Sequence, residues 1–116
     1  MQKELLNSLT DDNSLREIQH YIKKVIEMRG FGNQPVQEAT LLLLEEVGEL
    51  AKAIRKSGTN MSVDINKLHN YNSVESEVAD VFIVLVSICN LLDIDIFQAL
   101  KYKETKNINR TWKNNK

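Results

Sequence analysis

The 116-residue chain is short of the residues that break or staple a fold. One proline and four glycines leave little to interrupt long helices. A single cysteine, Cys89, sits in an apolar run, so no disulfide framework exists within the chain and a reducing compartment is expected. Neither sign of charge dominates. Fifteen basic and sixteen acidic residues give a net charge of −1, so no global field draws the chain to nucleic acid or to a membrane. The longest apolar run, Val81 to Cys89, is broken only by Ser87 and is far short of the roughly 20 residues that span a bilayer. The N-terminus carries Glu4 early and lacks the apolar stretch of a signal peptide, so a cytoplasmic protein is expected. The motif GxxxxGK[ST] is absent, which excludes a P-loop nucleotide hydrolase.

What is present is helical patterning. Apolar residues at 42% and charged residues at 27% fit an ordinary globular domain, and 116 residues fit one domain with its core over about 14–112. Ser14-Leu15-Arg16-Glu17 reads as a capping box, and Leu15, Ile18, Ile22 and Val25 keep helical spacing to about Arg29. Gly30-Phe31-Gly32-Asn33 breaks that helix. Pro35 suits a helix start, and Val36, Ala39, Leu43, Val47, Leu50 and Ile54 form the next stripe, ending near Ser57-Gly58. A polar stretch over 57–72 is long for a loop; Val63, Ile65 and Leu68 suit a short helical turn within it. Asn72 is expected to cap a helix carrying Val74, Val78, Val81, Leu85, Ile88 and Leu92. Asp95 caps another that runs past Lys103 towards Asn107. Four helices with mostly short connections predict an all-α, antiparallel bundle-like domain. Leu41, Leu42, Leu44, Phe82 and Ile83 leave two of the helices apolar on more than one side, which predicts a homodimer or homotetramer.

Two acidic signatures carry the chemistry. Glu46-Val47-Gly48-Glu49 and Glu77-Val78-Ala79-Asp80 each place carboxylates at i and i+3, roughly 5–6 Å apart at Cβ on a helix. Facing each other, they would gather four anions that repel unless a cation lies between them. All-oxygen ligands suit Mg²⁺ or Mn²⁺. At about 100° per residue, Glu45 and Glu49 are about 40° apart with Glu46 about 60° beyond, so all three could approach one site. The bland alternative is a solvated acidic face paired with Lys52 and Arg55.

Glu46-x-x-Glu49, 27 residues, then Glu77-x-x-Asp80 resembles the ExxE…ExxD signature of the MazG-like all-α nucleotide pyrophosphohydrolases. Leu42 to Lys56 is similar to that family's first metal helix and Glu77 to Val81 to its second. Arg29-Gly30-Phe31 resembles the turn before the metal helix, and Lys103-x-x-x-Asn107-x-x-Arg110-x-Trp112 the phosphate-contacting end. The resemblance implies Mg²⁺-dependent hydrolysis of a nucleoside triphosphate to the monophosphate and pyrophosphate, with nucleotide-pool housecleaning as the role. It makes Glu46, Glu49, Glu77 and Asp80 metal ligands and Glu45, Glu46 and Glu49 the catalytic carboxylates. Lys103, Asn107 and Arg110 fall on one helical stripe as phosphate contacts, with Arg55 and Lys56 as weaker ones. Other readings stay open: a phosphoribosyl-ATP pyrophosphohydrolase-like enzyme, or a non-catalytic helical module whose acidic patch binds a basic partner.

The remaining residues say less. Glu17-x-x-His20 has the spacing of one half of a di-iron element, but His69 is preceded at that distance by Asn66, so the second half is missing. Phe31 and Trp112 could stack a base, although packing suits Phe31 better. Cys89 reads as a buried, inert thiol.

Overall fold

The computed structural model describes residues 1–58 and 73–113, and every regular element among them is a helix. These are α1 (Gln2–Asn7), α2 (Leu15–Met28), α3 (Val36–Gly58), α4 (Val74–Leu91) and α5 (Ile96–Ile108). The four long helices are those the periodicity predicts. The short α1 is not among them; it buries no residue and leans on α2. The expected helical turn around Val63, Ile65 and Leu68 lies outside the described residues.

Local chemistry sets the ends. The Ser14 hydroxyl accepts from the Glu17 N–H at 3.1 Å, and the Glu17 carboxylate accepts from the Ser14 N–H at 2.7 Å, so the capping box forms. These bonds, the one from the Ser14 backbone first, hold the Glu17 carboxyl below its ordinary range. At the other end Gly30 takes φ +91°, Gly30 N–H donates to the Glu27 carbonyl and Phe31 N–H to the Ile26 carbonyl. This left-handed stop favours glycine because a Cβ is strained there. The same motif ends α4 with a non-glycine residue: Asp93 sits at φ 55°, Asp93 N–H reaches the Asn90 carbonyl and Ile94 N–H the Cys89 carbonyl at 2.8 Å. The cap of α4 is Ser73, whose hydroxyl accepts from Ser76 N–H at 3.1 Å, rather than the expected Asn72 one position earlier. Asp95 caps α5 as expected, accepting from Gln98 N–H at 3.1 Å.

α3 and α4 form the principal pair; α2 packs on α4, and α5 on α2. Among the described residues the buried apolar ones are few: Ile22, Val25, Ala39, Ala53, Val86 and Cys89. Large apolar side chains remain exposed along the principal pair. On α3 these include Leu41, Leu44, Val47 and Ile54, and on α4 Val78 and Leu85, with Leu92 just past its end. Leu44, Val47, Ala51 and Ile54 follow a three-four-three spacing, and Val78, Leu85 and Leu92 recur every seventh residue, the period of a helix seam. No helix among the described residues is long and apolar enough to cross a membrane.

Candidate metal centre

The pairing of α3 with α4 brings carboxylates from both helices together. Glu46 on α3 and Glu77 and Asp80 on α4 each place an oxygen within 4.8 Å of the other two. Their setting follows from register. Glu77 lies in the first turn of α4, three residues before Asp80, so both reach the same neighbouring helix. Glu77 is 3% exposed, and Glu46 and Asp80 are half-buried. The helix N-terminus favours negative charge at Glu77. Burial raises the Glu46 carboxyl above its ordinary value, and the charges of Asp80, Glu77, Glu49 and Glu45 raise it further, in that order. A carboxylate pushed towards neutrality by burial, by two carboxylates on its own helix and by two facing ones is a group suited to receive a cation. The donors are all oxygens, which fits a hard divalent ion.

The other expected residues stand at different distances from this cluster. Glu49 is outside the triad. It lies half exposed and pairs with Lys52 at 3.8 Å, one turn along α3. Its charge still acts on Glu46. Glu45 is exposed beside the cluster. Arg55 and Lys56 are half-buried in the last turn of α3, each engaged with a partner. Lys103, Asn107 and Arg110 belong to α5 and its end, which pack chiefly on α2. There Asn107 Nδ2 donates to Glu104 at 2.6 Å, Arg110 Nη1 donates to Asn107 Oδ1 at 3.4 Å, and the Arg110 guanidinium lies 4.4 Å from the Trp112 ring centre. The basic stripe thus stands apart from the acidic cluster within one chain. Phe31 is exposed and lines a shallow cavity of about 570 Å³ with Glu27, Gln34 and Glu38, so the expectation that it packs is not met in the single chain. His20 is exposed, and Cys89 is buried with its thiol pushed up by desolvation, unsuited to act as a nucleophile.

The sequence pattern misses one polar centre. Gln19 is buried and bonds to Asn90, Ile94 and Ile96. A glutamine three positions before Ile22, on the same face as the buried stripe, was the available signal.

An all-helical domain with a carboxylate cluster bridging its central helix pair is suited to holding a divalent cation, and the comparisons give the chemistry that goes with it. The model of the MazG nucleotide pyrophosphohydrolase domain matches residues 34–113, and the chain belongs to that family. Among solved structures it is similar to the candidate pyrophosphatase YPJD from Bacillus subtilis, with a TM-score of 0.73 at 26% identity over 88% of this chain and 100% of that one. A comparison with curated proteins gives no match.

Proposed function

We propose that this protein hydrolyses a nucleoside triphosphate to the monophosphate and pyrophosphate, with Mg²⁺ or Mn²⁺ as cofactor. The observation that carries the reading is the meeting of Glu46, Glu77 and Asp80 within 4.8 Å, inside a nucleotide pyrophosphohydrolase domain. These three hold the cation, and Glu49 completes the set by turning from Lys52. A divalent ion held there would neutralise phosphate oxygens and acidify a bound water. The chain's own groups supply the rest. Water oxygen forms a bond to the α-phosphorus while the bond from that phosphorus to the bridging oxygen breaks. Pyrophosphate leaves with the bonding pair. The water's proton passes to a carboxylate at the rim, with Glu45 and Glu49 as the acceptors. Lys103, Asn107 and Arg110 hold the phosphates by charge and hydrogen bonds, from α5 of the same chain or of a partner, with Arg55 and Lys56 nearby.

The same reading includes assembly of copies. The exposed stripes of α3 and α4 have the spacing of a helix seam, and a second copy laid against them makes a four-helix dimer or, repeated, a tetramer. Housecleaning of surplus or non-standard nucleotides in the cytoplasm is the corresponding role.

The test is product analysis. Incubation of dATP, dCTP, dGTP and dTTP with Mg²⁺, resolved by chromatography, should yield monophosphate and pyrophosphate, and EDTA should stop the reaction. Diphosphate and inorganic phosphate as main products would refute attack at the α-phosphorus. Absence of turnover across this panel and phosphoribosyl-ATP would leave a helical binding module instead.

A further inference from the structure

No residue of α5 is buried. Apolar burial, the usual means of fixing a helix to its domain, therefore contributes little to its direction. What holds it is polar. Gln19, 9% exposed on α2, donates from Nε2 to Asn90 Oδ1 at 3.0 Å and to the Ile94 carbonyl at 2.7 Å. Its Oε1 accepts from the Ile96 N–H at 3.0 Å. Asn90 Nδ2 donates back to the Gln19 carbonyl at 3.3 Å. One turn earlier on α2, Arg16 pairs with Asp95 at 2.9 Å. The Ile96 N–H is among the first amides of α5, which have no partner inside their own helix. One side-chain amide thus ties α2 to the end of α4, to the corner that follows, and to the start of α5.

We infer that Gln19 is a positioning residue for substrate, setting the direction of α5 and, through it, the place of Lys103 and Asn107 against the phosphates. The inference rests on the proposed function, in which that stripe holds the phosphates. The geometry is that of a lever. Lys103 lies seven residues beyond Ile96, about 10 Å along the helix, and Asn107 about 16 Å. A tilt of about 10° at the corner moves them by about 2 and 3 Å, by the same rise per residue. Displacements of that size exceed the narrow donor–acceptor range of a phosphate contact, roughly 2.7–3.2 Å, and so weaken the hold on the phosphates. The carboxylates sit at the opposite end of α4. Asp80 is ten residues from Asn90, about 15 Å, so a change at Gln19 leaves the cation site in place.

The test compares Gln19→Met, Lys103→Ala and the double variant with the wild type. Methionine keeps the length of the side chain and deletes its hydrogen bonds. Steady-state kinetics with the four deoxynucleoside triphosphates, equilibrium binding of the α,β-imido analogue of the one turned over fastest, and Mn²⁺ binding are measured on each. Gln19→Met should raise KM and weaken the imido-nucleotide about tenfold, with kcat within about twofold and Mn²⁺ affinity unchanged. Lys103→Ala should raise KM about tenfold to a hundredfold. The double variant should fall short of the product of the two effects, because one residue acts through the other. Wild-type KM in folded Gln19→Met, beside a raised KM in Lys103→Ala, overturns the inference alone. Wild-type KM in Lys103→Ala overturns it together with the phosphate role of the stripe. A fall in kcat at constant KM marks a merely structural glutamine and also overturns it. If Gln19→Met does not fold, Asn90→Ala removes only one partner of the amide; it should raise KM about threefold, and an unchanged KM refutes the role.

Discussion

Replacing Glu46 by glutamine should make the metal-free protein more stable while abolishing its turnover. The substitution keeps the shape of the side chain and removes one charge from a cluster whose oxygens lie within 4.8 Å. At that separation each like-charge pair costs about 3.5 kcal/mol at an effective dielectric of about 20, and about 0.9 kcal/mol in water. Proton uptake sets a ceiling. A carboxyl of ordinary value 4.5 can relieve its own repulsion at pH 7 for about 3.4 kcal/mol, at about 1.36 kcal/mol per pH unit. Glu46 is half-buried, so screening lowers the expected gain to about 1–2 kcal/mol. For a chain of this size that corresponds to about 4–10 °C in Tm. Calorimetry in EDTA at low ionic strength and matched protomer concentration measures it, and the difference should shrink in about 1 M salt, where the screening length is about 3 Å. Adding Mn²⁺ should stabilise the wild type and not the variant. The pH dependence follows from the sign of the shift. Glu46 has its folded value raised, so the metal-free wild type gains stability as pH falls from neutral through that raised value, and the variant lacks this gain. Asp95 acts oppositely. Its carboxyl is lowered by the Gln98 N–H first and by Arg16 next, so its contribution is present above 3.8 and lost as pH falls through the folded value. A Glu46→Gln protein that melts below the wild type in EDTA would refute the repulsive cluster.

Two further outcomes are expected. Glu49→Gln should abolish turnover and weaken Mn²⁺ binding at nearly unchanged Tm in EDTA, because Glu49 is half exposed and its ion pair with Lys52 spans 3.8 Å; retained activity would remove it from the ligand set. If the exposed stripe of α4 is the proposed seam between copies, the wild type should scatter light as a dimer or larger and Leu85→Asp as a monomer; the same mass for both would refute that seam.

Much of this architecture is legible in the sequence, for reasons that vary by element. α2, α3 and α4 announce themselves because their apolar residues recur at helical spacing and their ends carry Ser14-Glu17 and Gly30. Glu46, Glu77 and Asp80 could be foreseen as neighbours because paired i, i+3 carboxylates on two helices make sense together around a cation, although Val47, Ile54, Val78 and Leu85 of the stripes they border stay exposed in the single chain. Glu49 stands outside the cluster, half exposed and paired with Lys52 at 3.8 Å, a competition for its charge that helical spacing alone does not reveal. α1 was not legible, since six residues with only Leu5 and Leu6 show no period. The attachment of α5 was hidden for another reason. It depends on a glutamine meeting an asparagine 71 positions away, and pattern reading senses apolar faces rather than distant amides.

The small set of buried apolar residues has a calorimetric consequence. A compact chain of this length should unfold with a heat-capacity change of about 12–15 cal/mol/K per residue, most of it from apolar surface newly wetted. Here Val86 is the one large side chain less than 2% exposed among the described residues, and the stripes of α3 and α4 are already wet in the separated protomer. Its unfolding would therefore show a depressed heat-capacity change and a shallow response to urea. If a second copy covers these stripes, as proposed above, the missing increment reappears in association, which would carry a large negative heat capacity of its own. In that assembly warming and dilution would act on the same surface, and Tm would rise with the logarithm of protomer concentration.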